Sequence, residues 1–185
     1  MNFVTIDFET ADYHRESAIA IGMVKYLDGK AEDTYYSLIR PPNLYIRPDF
    51  TQIHGLTVDD VKDAPRFSDL WDSEMKPFIG SLPLAAHNAV FDMGVLSAVL
   101  EWYYIDVPEH PNFCTCNLAR NTWRGLRSYA LTSLAGHFGI VYDAHNALSD
   151  AMTCGKIALM SAEKFGSKNV DELLSAAHLK MKHLS

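Results

Sequence analysis

The residues of this 185-residue sequence best suited to chemistry are four acids and one histidine in three separated segments. They are Asp7 and Glu9 in IDFET, Asp92 in HNAVFD, and His145 with Asp150 in HNALSDA. On an extended strand Asp7 and Glu9 leave the same face with Cα atoms about 6–7 Å apart, a gap one cation can bridge. Spacing alone says little, because 23 acids in 185 positions give roughly three acid-x-acid pairs by chance. A second pair, Asp72 and Glu74, lies beside Lys76 in a segment with helical periodicity, where a solvated face explains it. For Asp7 and Glu9 two explanations compete: neutralisation by a bound metal, or acids guarding a sheet edge against aggregation.

In the second segment LPLAA (82–86) reads as a short buried strand, and His87-Asn88 leads into a helix over 89–104. Asn88 would cap that helix and Asp92 would complement its positive end. The same placement aims Asp92 at the C-terminal edge of the neighbouring strand, where Asp7 and Glu9 already point. In the third segment His145 precedes a helix over 147–165 that contains Asp150. Five residues are about 500° of helical rotation, so the two cannot share a helix face. His145 therefore belongs to the loop or cap, mobile and accessible, while Asp150 is fixed on a packed helix.

The elements that must position these residues alternate in type. Residues 2–8 alternate as a strand, and 17–27 and 31–40 are β-rich runs joined by Asp28-Gly29, a hairpin signal. Pro41 and Pro42 end that unit. A short helical turn follows over 53–61, then an amphipathic helix over 68–79. A further strand is expected over 112–116, helices near 117–123 and 129–138, a loop over 139–144, and one more helix over 170–182. The whole is a layered α/β domain spanning 1–185, with a mixed five-stranded sheet flanked by helices.

Composition bounds the function. With 48% hydrophobic and 21% charged residues, disorder, collagen and coiled coil are excluded. No apolar run approaches the roughly 18–20 residues of a membrane span. The chain enters a strand at once, without a basic or apolar leader, so a cytoplasmic protein is expected. Cys114, Cys116 and Cys154 are too few for a disulfide framework, and C-x-C is not the usual zinc spacing. A net charge of −7 argues against a broad basic face, yet divalent cations can invert the local sign and hold a nucleic acid. Arg120, Arg124 and Arg127 form a small basic run, read either as solvated surface or as a guide for phosphates.

Taken together, IDFET (6–10), HNAVFD (87–92) and HNALSDA (145–151) resemble, in order and spacing, the DEDDh exonucleases of the DnaQ-like superfamily. The resemblance covers residues 3–158 and implies a ribonuclease H-like fold. It implies a metal-dependent 3′-5′ exonuclease acting on single-stranded or frayed DNA ends, with an exoribonuclease or oligonucleotide-degrading enzyme as the alternative. A catalytically silent nucleic-acid-binding module is the reading outside enzymology, and the presence of all five reactive groups counts against it. Asp7, Glu9, Asp92 and Asp150 would hold two divalent cations; hard oxygen ligands select Mg²⁺ or Mn²⁺. His145 would take the proton from the attacking water.

IHGLT (53–57) resembles a family segment beside the 3′ end, and YALTSLAGHFGI (129–140) the helix that precedes the last motif. Phe8, Thr10, Ile53, His54, Asn88 and Phe91 are thereby candidates to line the terminal-nucleotide pocket, although strand alternation puts the Phe8 ring on the core face. The chain departs from the family at Cys114-Thr115, where many relatives carry Asp-Thr. Implied partners are single-stranded 3′ ends, with a polymerase or a second copy of the chain as further possibilities. The amphipathic stretch 170–182 is a docking candidate or a plain C-terminal helix.

Overall fold

The computed structural model describes residues 1–184. Alternating apolar residues make β1 (Phe3–Thr10), and two further strands, β2 (Ala18–Leu27) and β3 (Lys30–Leu38), form the expected hairpin. Its turn residues Asp28 and Gly29 both have positive φ, 50° and 75°, the geometry that matches the twist of the flanking strands. Then come α1 (Pro48–His54) and α2 (Val58–Val61), separated by Gly55, and α3 (Phe67–Leu70), which runs through a π-helical turn, Trp71–Met75, into α4 (Lys76–Ile79). The remaining elements are β4 (Leu84–Ala86), α5 (Val90–Trp102), β5 (His110–Cys114), α6 (Thr115–Thr122), α7 (Leu131–Phe138), α8 (Ala147–Phe165), α9 (Val170–Ala176) and β6 (Lys182–Leu184).

The sheet order is β3-β2-β1-β4-β5-β6, parallel between β1, β4 and β5 and antiparallel elsewhere. Six strands replace the expected five. The stretch 170–182 is helical only to Ala176; His178 then turns the chain with φ 56°, and three residues pair with the edge of β5. A strand that short carries no alternation to read. The strand expected over 112–116 sits two residues earlier, and Cys116 lies in α6. Because β1 is interior to the sheet, Asp7 and Glu9 cannot be edge guards, and that explanation falls. No helix among the described residues is long and apolar enough to cross a membrane.

The pleat of β1 sends its side chains to two different layers. Val4, Ile6 and Phe8 join Phe67, Trp71, Leu96 and Val99 under α3 to α5. Phe3, with Tyr26 and Phe113, packs on the opposite side against Ala151, Ala158 and Leu173 from α8 and α9. Asp7 and Glu9 share the parity of Phe3, so they face α8.

How closely α8 lies on the sheet is set by two glycines. A Cβ on Gly22 would stand 2.3 Å from the backbone of Ala147 and Leu148, and one on Gly155 would stand 2.3 Å from the Tyr26 ring. Gly22 is the register partner of Asp7; the first turn of α8 is therefore laid directly across the strand pair that carries the acid. We predict that Gly22→Ala lowers stability by about 2–3 kcal/mol or more, because the obstacle is backbone and cannot rotate away. Gly136→Ala, in α7 with nothing within 4 Å, is expected to be neutral or to stabilise by up to about 1 kcal/mol. Urea unfolding of both variants checks the contrast.

Candidate active site

Asp7 and Glu9 stand at the C-terminal end of β1, beyond the last residues of its parallel neighbour: β4 pairs with β1 only at Val4 and Thr5. The Val4 N–H donates toward β4, to the Pro83 carbonyl, so by alternation the Phe8 N–H also points that way but has no strand to meet. Asp92 from α5 supplies the acceptor, its Oδ1 lying 3.1 Å from the Phe8 nitrogen. That bond fixes a carboxylate that is only 1% exposed beside the two acids of β1. Asn88 does not cap α5. It has φ 75°, and Ala89 occupies the cap position without a side-chain bond; the turn needed to swing Asp92 inward displaces the amide.

From the other face α8 contributes Asp150 in its first turn. Asn146 caps the helix, its side chain accepting the Ser149 N–H at 3.1 Å. His145 lies just outside, exposed, with φ 63°, and its backbone N–H donates to Asp150 Oδ2 at 2.8 Å. Asp150 thus holds the loop that presents His145. Glu9, His145 and Asp150 offer ligand atoms that all lie within 4.8 Å of one another.

The electrostatics follow from this crowding. Burial raises the Asp7 pKa well above the usual carboxylate range, and Asp92, Asp150 and Glu9 raise it further. Burial, then Asp150 and Asp92, push Glu9 up to about 8. Asp150 rises to about 6, chiefly through burial, against the pull of the His145 N–H and imidazole. Asp92 is also raised by burial, although backbone N–H groups oppose the shift. No lysine or arginine is among the described residues that line the cleft. Four carboxylates with no protein cation between them fit a divalent cation site, and an oxygen-rich donor set suits Mg²⁺ or Mn²⁺.

The acids open into a cleft of about 310 Å³. Phe8, Thr10, Ile53, His54 and Phe91 all border it, while Asn88 lies in an adjoining groove. The Phe8 side chain is packed in the core and 3% exposed, as its parity in β1 requires. His54 Nδ1 accepts the Leu56 N–H at 3.0 Å, which places the ring proton on Nε2. That nitrogen is buried and faces the Thr10 carbonyl at less than good hydrogen-bond geometry, and burial lowers the pKa of the ring. Tyr142, from the loop before His145, also borders the cleft with a buried hydroxyl that has no partner among the described residues; burial, Asp150 and Asp7 raise its pKa to about 12.

Sequence reasoning missed Phe50, Tyr142 and His87 as cleft residues. Phe50, Ile53 and His54 fall at i, i+3 and i+4 of one helix, a signal that was available once Pro48 is read as the first helical residue. Tyr142 sits in irregular chain and gives no local signal. His87 is a structural tie: Nδ1 meets Thr115 Oγ1 at 3.0 Å and Nε2 meets the Tyr129 carbonyl at 2.8 Å. At Cys114-Thr115 the buried Thr115 makes the contacts, to His87 and to Cys154 Sγ at 3.2 Å.

Comparison with known proteins bears on the family and the fold. The exonuclease (RNase T) family profile matches residues 4–158. The chain is 34% identical over 157 residues to a DNA polymerase III subunit epsilon from Treponema pallidum, covering 82% of this chain and 72% of that protein. It is 28% identical over 182 residues to the 3′-5′ exonuclease DinG of Staphylococcus saprophyticus, covering 96% of this chain and only 20% of that protein. The solved structure of Exonuclease X in complex with 5′ overhanging duplex DNA superposes with a TM-score of 0.75 at 24% identity, over 95% of this chain and 99% of that one. The ribonuclease H-like fold implied by the three motifs is therefore the fold observed.

The raised carboxylates carry a sign for stability. Glu9 and Asp150 titrate in the fold at about 8 and about 6, above their ordinary values of 4.5 and 3.8. Their protonated forms favour the fold, so this contribution is complete below about pH 4 and is lost as pH rises through 6 to 8. In chelator the thermal midpoint is expected to fall by several degrees, on the order of 5 °C, between pH 5 and pH 8. Added Mg²⁺ should raise it at pH 8 and do little at pH 5; a flat profile with no Mg²⁺ response would contradict the cation site. Differential scanning calorimetry measures both.

Proposed function

The chain belongs to the exonuclease family, and from that premise we propose that it is a 3′-5′ exonuclease. In this reading it removes nucleotides from single-stranded or frayed DNA with the help of two divalent cations, Mg²⁺ or Mn²⁺. The observation that carries the reading is the meeting of Asp7, Glu9, Asp92 and Asp150, drawn from three distant segments, with an accessible His145 at one cleft edge.

Asp7, Glu9, Asp92 and Asp150 would hold the cations, which when bound neutralise developing charge on the scissile phosphoryl group and on the leaving 3′-oxygen. The chain's own contribution is positional. Asp7 is central, close enough to feel all three other carboxylates. Glu9 and Asp150 stand on the His145 side, where the attacking water would lie, and Asp92 supports the opposite side from its bond to Phe8. The His145 imidazole makes no hydrogen bond among the described residues, and its backbone is pinned to Asp150. It is free to take the water's proton at a ring nitrogen.

Ile53 and Phe91, exposed at the cleft, offer surfaces on which a terminal base of any identity can stack. The Tyr142 hydroxyl, buried and without a partner among the described residues, is a donor whose desolvation an arriving acceptor would offset, and the His54 Nε2–H, which faces the Thr10 carbonyl, can be shared with one. Sugar and phosphate oxygens of a 3′-terminal nucleotide are such acceptors. DNA is favoured because the compared relative is named as a DNA polymerase subunit and the compared structure of Exonuclease X is a complex with duplex DNA. The same reading takes residues 1–185 as one exonuclease domain of the cytoplasm, with a polymerase or a second copy as its protein partner.

The test incubates 5′-labelled single-stranded DNA and RNA with the protein in Mg²⁺, Mn²⁺ or chelator. A ladder shortening from the 3′ end is expected on DNA, abolished by chelator and by Asp7→Ala, and slowed by about 10² or more in His145→Ala. Faster shortening of RNA would reassign the substrate. A single internal cut, or full activity in Asp7→Ala, would overturn the proposal.

A further inference from the structure

An open groove of about 800 Å³ adjoins the cleft and shares His87, Ala130 and Leu131 with it. It runs between α6 and the loop leading to α7. Arg120 and Arg127 line it, together with Asn88 and Ser128, and no carboxylate is among the described lining residues. Both arginines are exposed, and neither forms a salt bridge among the described residues. Arg124, the third member of the basic run, does not border the groove.

The groove wall is held in place although residues 123–130 have no regular secondary structure. The Tyr129 hydroxyl donates to the Trp123 carbonyl at 2.7 Å and accepts the Leu126 N–H at 3.3 Å. The Tyr129 carbonyl accepts from His87 Nε2, which ties the wall to the end of β4 and so to the cleft. The Tyr129 ring lies 5.0 Å from the Arg120 guanidinium carbon, a cation–π contact that orders this long side chain without cancelling its charge.

Charge then decides the direction a strand takes. The chain is net −7 and the cleft itself is acidic, so unpaired guanidinium groups beside the cleft are the local features that attract a phosphodiester backbone. We infer that this groove carries the nucleotides upstream of the scissile bond, with Arg120 and Arg127 on backbone phosphates and no base read; the inference rests on the exonuclease reading of the cleft. The preferred substrate is then a strand several nucleotides long, bound independently of sequence and sensitively to salt. A dinucleotide would fill the cleft and leave the groove empty.

The experiment measures binding of 5′-fluorescein oligothymidylate, a dodecanucleotide, by anisotropy in Ca²⁺ over a range of salt, with an unlabelled dinucleotide as competitor. Arg127→Ala and Arg120→Ala should each weaken the dodecanucleotide by about tenfold at low salt, and each should reduce the slope of log K against log salt by about 0.7. Arg127→Lys, which keeps the charge, should retain the slope, and competition by the dinucleotide should change by less than about twofold, the cleft being intact. Thermal midpoints of the variants exclude unfolding as the cause.

Unchanged dodecanucleotide affinity and slope, or equal losses on both ligands, would overturn the groove. The outcome is separable from the catalytic reading. If the arginine variants lose the strand but the wild-type chain shortens no 3′ end in Mg²⁺, the groove stands as a strand-binding surface only, and the exonuclease assignment and the upstream register fall with each other. If the wild type shortens DNA while the variants bind as it does, the groove alone falls.

Discussion

Four carboxylates brought into one partly dehydrated corner repel one another, and the rest of the molecule is arranged around maintaining that repulsion. Asp7 feels Asp92, Asp150 and Glu9 at once, and each of these pays a desolvation penalty of its own. Left to itself such a cluster would spread or protonate, because no lysine or arginine is among the described residues that line the cleft. It persists because the acids stand on elements whose own packing is independent of them. Ile6 and Phe8 flank Asp7 and Glu9 on β1 and are buried in the core, while Ala151 and Cys154 follow Asp150 into the fully buried side of α8. The result is a packed frame that holds mutually repelling carboxylates at the point where a cation would relieve them.

Two close contacts convert that frame into a site. The first is the seat of α8 on the sheet at Gly22, which brings the helix backbone so near to β2 that no side chain fits between. Since Gly22 is opposite Asp7, the spacing between β1 and the first turn of α8, and hence between Asp7 and Asp150, is set by backbone rather than by flexible side chains. The second is the bond from the Phe8 N–H to Asp92. It uses a strand donor that the short β4 leaves free, and it couples α5 to the same few residues of β1. The carboxylates are thus positioned from both faces of a single strand.

The motifs were legible because chemistry leaves acids and a histidine where packing would not choose them, and three such departures in fixed order are hard to produce by accident. The helices and the hairpin were legible from periodicity and from Asp28-Gly29. What was not legible depends on partners remote in sequence. Gly22 reads as an unremarkable residue of a β run until α8 is laid upon it. Asn88 has the composition of a helix cap, but the chain there bends with positive φ to deliver Asp92. The sixth strand is three residues that pair only because β5 presents an edge. Tyr142 is one aromatic in a loop, and only the fold shows it bordering the cleft with a buried hydroxyl that has no partner among the described residues.

Net charge is a poor guide to what such a surface can bind. Beyond about 8 Å at physiological salt the −7 of the chain is largely screened, so a strand near the site responds to the groups within contact distance. Those groups are divided in space. Acids occupy the end of β1, where cations can mediate, and guanidinium groups occupy the adjoining groove, where none are needed. His87 joins the two regions: it terminates β4 beside the acids and holds the Tyr129 carbonyl of the basic wall. Burial lowers its pKa, and both ring nitrogens are engaged, Nδ1 with Thr115 Oγ1 and Nε2 with the Tyr129 carbonyl. The link between the acidic and the basic halves is therefore mechanical, made of hydrogen bonds from one ring, so the proposed cleavage chemistry and strand guidance would each keep the sign it requires at a single small sheet edge.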